Sequence, residues 1–326
     1  MKVVIGTDVH AHKYRAFNQD NRRLTNIVAA IEEMWDKAAE LKGILCLVGD
    51  IFNTHQVLHV EAMDAVFKLF KRKIQEHKDT DVIFISGNHD QSTKNTVENP
   101  AISSVHSLAK LSDNVHCIDD GYYTRDDFEF TGVPYYPDPA QFKLALADLK
   151  EREVKSIKRK YLLMHQTVVL DIALVPDDIN PKDKLLEGYD YIFNGHIHDH
   201  SEVTDRFINV GTPLHRDMGD VGKDKGYLIL DTETNTWERV LTNYPQFRKL
   251  EDGEEVPEEW KDDYVVWIPK QIAVTVEEEE IREKFDHNRV SREELLQNFL
   301  AIKLGDADPI FSEAVRNYHK KLIEHA

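Results

Sequence analysis

Cysteine is scarce, with only Cys46 and Cys117 in 326 residues. Two cysteines in a chain of this length exclude a disulfide framework. No apolar run approaches ~18 residues, so no membrane-spanning helix is expected. Positive charge is in deficit: 41 Lys and Arg stand against 59 Asp and Glu, a net charge of −18. That balance excludes a protein that grips nucleic acid over its whole surface by neutralising phosphates. Two local basic strips remain, at Lys68, Lys71, Arg72 and Lys73 and from Lys150 to Lys160, and both read as solvated helix faces. Internal repeats and low-complexity tracts are lacking too. Met1 and Lys2 lead directly into an apolar run without the features of a secretory leader, so a cytoplasmic location is expected.

What is present is one local grammar, used five times. Val82-Ile83-Phe84-Ile85-Ser86 runs into Gly87-Asn88-His89-Asp90. Val3-Val4-Ile5 leads to Asp8 and His10, Ile44 to Val48 leads to Gly49 and Asp50, Tyr161 to Met164 leads to His165, and Tyr191 to Asn194 leads to Gly195-His196-Ile197-His198. Short β-rich runs bounded by glycine read as buried strands. In open α/β sheets ligands bind in the crevice at the carboxyl ends of the strands, so five such ends can gather these side chains around one point. A lone Asp-x-His or His-x-His carries little information. Five such motifs, each at a strand end, predict a shared metal site.

Helical spacing separates the strands. Leu24, Ile27, Val28, Ile31, Trp35, Ala38 and Leu41 form one stripe, and Met63, Val66, Phe67, Phe70 and Ile74 another. This alternation predicts a largely parallel first sheet. Residues 91–99 read as a loop at the site's rim, followed by a short helix near Val105 to Leu111, a strand at Val115 to Ile118, a hairpin through Phe128 and Phe130, and a helix carrying Phe142, Ala145, Leu146 and Leu149. Past His198, closely spaced runs at 207–210, 226–230 and 237–240 predict antiparallel strands. The expected fold class is α/β, two packed mixed sheets flanked by helices over residues 1–243. A small acidic α+β region follows at 244–326, with a strand at Tyr264 to Ile268. Two amphipathic stripes close it, Leu295 to Ile302 and Phe311 to Ile323, suited to docking on the chain's own domain or on a partner.

Imidazole and carboxylate without thiolate suit Mn, Fe or Zn in an open catalytic site. Asp8, His10, Asp50, Asn88, His165, His196 and His198 are too many ligands for one ion and enough for two that share a bridging carboxylate. Two ions roughly 3.5–4 Å apart clamp the attacking and leaving oxygens of a displacement at phosphorus. Phosphate ester hydrolysis is the reaction this predicts.

The five motifs, Asp8-Val9-His10, Gly49-Asp50, Gly87-Asn88-His89-Asp90, His165 and Gly195-His196-Ile197-His198, resemble the signature of the calcineurin-like metallophosphoesterase superfamily. The resemblance implies a four-layer sandwich and two divalent ions. Asp8, His10 and His198 would hold the first ion, Asn88, His165 and His196 the second, and Asp50 would bridge them. It makes His89 a general acid rather than a ligand, oriented by Asp90, a role suited to a histidine near neutral pH.

A second resemblance begins after the last motif. Ile208-Asn209-Val210-Gly211-Thr212-Pro213-Leu214, followed by Lys225-Gly226-Tyr227-Leu228, is similar to the corresponding segment of SbcD-type DNA repair nucleases, in particular their small bacteriophage members. This implies a Mn-dependent DNA exonuclease or endonuclease, with Mg an alternative in assays, that forms a homodimer and works with an SbcC-like coiled-coil ATPase. The resemblance covers residues 1–240. Two positions depart from the pattern: Asn53 stands where Asp or His is common, and Ala11-His12 replaces Leu-Gly. His12, His55 and His215 are candidates for lining the substrate cleft. A phosphodiesterase for a small nucleotide and a non-catalytic scaffold are the competing functions. A protein phosphatase is disfavoured, because no Asp-Arg-Gly follows the Gly-Asp motif around Asn53-Thr54.

Overall fold

A computed structural model describes residues 1–53, 57–152, 157–168 and 179–268. His55 and both C-terminal stripes lie outside the described residues. Strand β1 (Lys2–Gly6), helix α1 (Arg22–Glu40), β2 (Ile44–Val48), α2 (Val60–Glu76) and β3 (Val82–Ile85) alternate as the apolar spacing predicts. A 3-10 helix at Ser104–Lys110 leads to β4 (Val115–Cys117). The hairpin β5 (Gly121–Arg125) and β6 (Phe128–Val133) follows, then α3 (Pro139–Arg152), β7 (Arg159–His165) and β8 (Tyr191–Gly195). Next come β9 (Ser201–Glu202), β10 (Phe207–Asn209), β11 (Gly226–Asp231), β12 (Thr236–Leu241), β13 (Phe247–Glu251) and β14 (Tyr264–Ile268). Among the described residues no helix is long and apolar enough to cross a membrane.

Two six-stranded mixed sheets result. One runs β12-β11-β1-β2-β3-β4, with β1 to β4 parallel and β11 and β12 antiparallel at one edge. The other runs β5-β6-β7-β8-β10-β9, parallel from β6 through β10. Side chains of a strand alternate between faces, and three cores follow from that alternation. Val4, Leu45, Leu47 and Phe84 meet Ile31, Trp35, Val66 and Phe70 of α1 and α2 on the outer face of the first sheet. Val3, Ile5, Val48 and Ile85 meet Phe130, Leu163 and Phe193 between the sheets. Leu162, Met164 and Ile192 meet Phe142, Leu146 and Leu149 under α3. Both faces of each sheet are covered, which is why the strands read as unbroken apolar runs. Helices, sheet, sheet and helix make four layers. Trp35 and Phe70 meet edge-on at 5.0 Å, a pairing worth about 0.5–1.5 kcal/mol beyond the area it buries.

Three expectations are corrected in detail. β10 pairs in parallel with β8, not antiparallel, because the short β9 turn carries the chain back to the start of β8, where the Ile192 amide donates to the Arg206 carbonyl. β13 was not expected, since Arg248 and Lys249 interrupt its apolar pattern; it pairs in parallel with β14, and Arg248 bonds Asp263 at 2.7 Å. The basic strip on α2 is not simply solvated. Arg72 grips Glu32 through two bonds of 2.7 and 2.8 Å, and the buried Lys73 ammonium sits among Glu32, Asp36 and Glu76. Arg72 and Lys73 are neutralised by α1 and by their own helix, while Lys68 and Lys71 stay exposed.

Candidate metal centre

The carboxyl ends of β1, β2, β3, β7 and β8 open on one edge of the sandwich, and each delivers its motif there. The turns are tight enough to force left-handed backbone at Asp8 (φ 53°), His10 (48°), Asp50 (51°) and His196 (72°). Such conformations cost of order 1–3 kcal/mol each in a non-glycine residue and gather at functional sites. Gly87 answers a different demand: a Cβ there would lie 2.2 Å from Asp50 Oδ1. The glycine lets the β2 and β3 turns touch.

Each carboxylate is divided between two tasks. Asp8 Oδ2 accepts from the Thr7 hydroxyl at 2.7 Å and the His196 amide at 3.0 Å, while its buried Oδ1 has no hydrogen-bond partner among the described residues. That Oδ1 lies 3.5 Å from His10 Nε2 and 3.6 Å from His198 Nε2, and the two ring nitrogens are 3.3 Å apart. Asp50 Oδ1 accepts the His89 amide at 2.8 Å, and its Oδ2 faces His10 Nε2 at 3.5 Å and His165 Nε2 at 3.3 Å. Asn88 Oδ1 lies 3.2 Å from His165 Nε2 and 2.9 Å from His196 Nδ1. The second nitrogen of His165, Nδ1, faces the Val48 carbonyl at 2.8 Å, which turns Nε2 inward. Carboxylate, amide and imidazole atoms of ligand type thus converge, and a buried carboxylate oxygen without a hydrogen-bond partner among the described residues sits in their midst. That donor set fits divalent cations, with Asp50 placed between two groups of ligands. His106, Cys117 and Asp119 also converge, but they form a separate, internally bonded cluster in which Asp119 takes His106 Nε2 at 3.0 Å and the Ser86 amide and hydroxyl at 2.7 and 2.6 Å.

The charge states follow from the same crowding. Burial opposes ionisation of Asp50, yet His165, followed by His10 and His89, holds its carboxyl well below the usual carboxylate range. Asp8 is lowered likewise, with His165 and His10 outweighing burial. Burial would strip His165 of its proton, but Asp50 and Asp8 push it up to about 9. Burial, helped by neighbouring His165, brings His196 down to about 4; burial, then Arg216 and His10, does the same for His198 against the pull of Asp8.

His89 is oriented differently from expectation. Its Nδ1 lies 2.6 Å from the Asn53 carbonyl oxygen. Asp90 instead turns its carboxylate back on the loops, accepting from the amides of Ile51 at 3.3 Å, Phe52 at 2.9 Å and Gly87 at 3.0 Å. It braces the turn that carries Asp50. Burial and the Asp50 carboxylate push Asp90 up to about 7.

Of the cleft candidates, His12 packs against His59 and Tyr14, with ring centroids 4.4 and 5.1 Å away. His215 is 3% exposed and gives both ring nitrogens to backbone, Nε2 facing the Lys223 carbonyl at 2.9 Å and Nδ1 accepting from Phe247 at 3.2 Å. It packs β13 onto the domain. The segment that carried the nuclease resemblance buttresses the last motif: Thr212 donates to the His198 carbonyl at 3.1 Å, and Lys225 Nζ reaches the same oxygen at 3.1 Å. Two features of the site had no signal in the sequence. Arg216 inserts its guanidinium beside His10 and His198. Tyr135 stacks on His196 at 5.6 Å and, with Asn88, Gln91, Ser92, Thr93, Lys94 and Pro137, lines a cavity of about 260 Å³.

A family model of the calcineurin-like phosphoesterases matches residues 1–200, a span that holds all five motifs. No curated protein matches the chain. Among solved structures, one described as a novel archaeal phosphodiesterase is 14% identical, with a TM-score of 0.36, and the match covers 74% of this chain and 99% of that one. A hypothetical protein from Thermus thermophilus is 12% identical, with a TM-score of 0.43, over 74% of this chain and 98% of that one. With the matched span covering more than half its length and all five motifs gathered on one edge, the chain belongs to the calcineurin-like phosphoesterase family.

Proposed function

We propose that this phosphoesterase is a metal-dependent DNA nuclease, cleaving phosphodiester bonds in break processing, recombination or phage replication. The observation that carries the hydrolytic part is the placing of Asp50 Oδ2 within 3.5 Å of both His10 and His165, between two sets of ligands. Asp8, His10 and His198 would hold one ion, Asn88, His165 and His196 the other, and Asp50 both; Mn²⁺ is the metal proposed, with Fe, Zn or Mg as substitutes. When bound, the pair supplies Lewis acidity and a nucleophile from water at neutral pH. The chain's own residues do the rest. His89, held through Nδ1 by the Asn53 carbonyl, is positioned to protonate the leaving oxygen through Nε2. A carbonyl acceptor at Nδ1 fixes the N–H there and leaves Nε2 as the nitrogen that exchanges the proton.

The preference for DNA rests on the likeness of residues 208–230 to SbcD-type nucleases. The net charge of −18 and the pairing of Arg72 and Lys73 with carboxylates favour the second reading, a phosphodiesterase for a small nucleotide, with the cavity beside Asn88 taking the rest of the substrate. End-labelled linear double- and single-stranded DNA, incubated with the purified chain in Mn²⁺ beside an aryl phosphodiester, separates the two. Shortened DNA is the result expected. Diester hydrolysis with intact DNA would favour the small substrate.

A homodimer, a cytoplasmic location and an SbcC-like ATPase partner complete the proposal. Removing residues 291–326, which carry the two amphipathic stripes, should end co-purification with such an ATPase while diester hydrolysis persists. Unchanged co-purification would place the partner elsewhere.

A further inference from the structure

Arg216 lies beyond the span matched by the family model and in none of the five motifs, yet its guanidinium touches the centre. Nη1 is 2.8 Å from His10 Nε2 and 2.7 Å from His198 Nε2, and Nη2 donates to Asn53 Oδ1 at 3.4 Å. The backbone of the residue is fastened on both sides. Its amide donates to Asp220 Oδ2 at 2.7 Å, and its carbonyl accepts from Arg23 Nη2. Asp220 in turn pairs with Lys225 Nζ at 2.6 Å, the same ammonium that holds the His198 carbonyl. One network therefore fixes both a ligand-bearing loop and the root of the arginine.

A guanidinium donates only, and it shares the ring lone pairs of His10 and His198 with any cation that these residues bind. Once those nitrogens hold an ion, the fork must leave them, and its fixed root keeps it at the rim of the same centre. There its planar pairs of N–H donors match the oxygens of a phosphate two at a time, which an ammonium cannot do. Asn53, whose carbonyl holds His89 and whose side chain accepts from Arg216, links this arm to the proton donor.

We infer that Arg216 is a phosphate-binding residue of the centre. Rooted beside His10 and His198, its guanidinium takes the non-bridging oxygens of the phosphodiester. The inference rests on the phosphoesterase reading of the site.

The test compares the full-length chain with Arg216→Gln and Arg216→Lys. Calorimetry measures Mn²⁺ binding to the metal-free proteins and orthophosphate binding to the loaded ones, and hydrolysis of an aryl phosphodiester gives KM and kcat. In Arg216→Gln, Mn²⁺ should bind as well as in the wild type or more tightly, because a competing cation is gone. Orthophosphate should bind about 10- to 100-fold more weakly, as expected for losing a charge-assisted bond, and KM should rise in step. Arg216→Lys should recover part of the phosphate affinity. Loss of Mn²⁺ from Arg216→Gln would make the arginine a support for the ligands and overturn the inference; so would unchanged orthophosphate affinity. A wild-type chain that takes up Mn²⁺ but neither binds orthophosphate nor hydrolyses the diester would overturn the phosphoesterase reading itself.

Discussion

His89→Ala should retain both divalent ions and lose diester hydrolysis by about 10²- to 10⁴-fold, the range typical of a positioned general acid. The split between binding and turnover follows from geometry. The His89 amide, which the substitution leaves in place, anchors Asp50 Oδ1 at 2.8 Å, whereas the ring is the part turned to Asn53. Metal analysis of the purified variant, run beside its kinetics, checks both halves. The size of the loss should also depend on the leaving group: a nitrophenolate, which departs without a proton, should hide most of the defect, and an alkoxide should reveal it. An emptied metal site would mean that His89 is a ligand and that its assignment as proton donor is wrong.

Asp50→Asn should be the more damaging change. Losing a supporting partner of a metal ligand costs about 10- to 100-fold in affinity; Asp50 faces both ligand groups, so the loss should exceed ~100-fold and turnover should fall with it. The same residue governs the pH dependence of metal uptake. In the metal-free chain the His165 ring is raised to about 9, against burial, by Asp50 and Asp8. A raised pKa means that the proton is held at pH 7 and must leave before Nε2 can bind an ion. Wild-type affinity for Mn²⁺ should therefore climb with pH until about 9, and uptake at pH 7 should release a proton. Titrations in two buffers of different ionisation heat measure that release. In Asp50→Asn the carboxylate that favours the protonated ring is gone, so whatever binding survives should depend less on pH. A wild-type affinity that does not change between pH 6 and 9 would show that His165 is neutral before the metal arrives.

The convergence of the candidate ligands was legible because chemistry and fold coincide at these positions. Asp8, Asp50, Asn88, His165 and His196 each follow an apolar run directly, so locating the strands also locates the ligands. Arg216 had no such address. It sits in the polar stretch His215-Arg216-Asp217, which long-range bonds from Arg23 and Asp220 bring to the centre. The direction of the Asp90 side chain was equally hidden, since it is decided by three amides contributed by two separate turns. Lys73 illustrates the same limit on a helix. The period of α2 places it on the buried face with Val66 and Phe70, where the carboxylates of α1 receive its ammonium. Local pattern shows which residues have a chemical task. Long-range contact decides which neighbours share it.

Asp8, His10 and Asp50 hang from the first sheet, and His165 and His196 from the second, so the gap between the sheets is also the gap between ligands. Val48, Ile85, Leu163 and Phe193 fill that gap and act as the jaws of a caliper. Its side chains are hydrocarbon, and the Val48 carbonyl passes the setting on to His165 Nδ1 at 2.8 Å. A methylene added or removed there should shift the reach from Asp50 to His165, because close-packed cores transmit changes in volume. In this architecture the spacing of the candidate ligands is set partly by apolar side chains that are not among them.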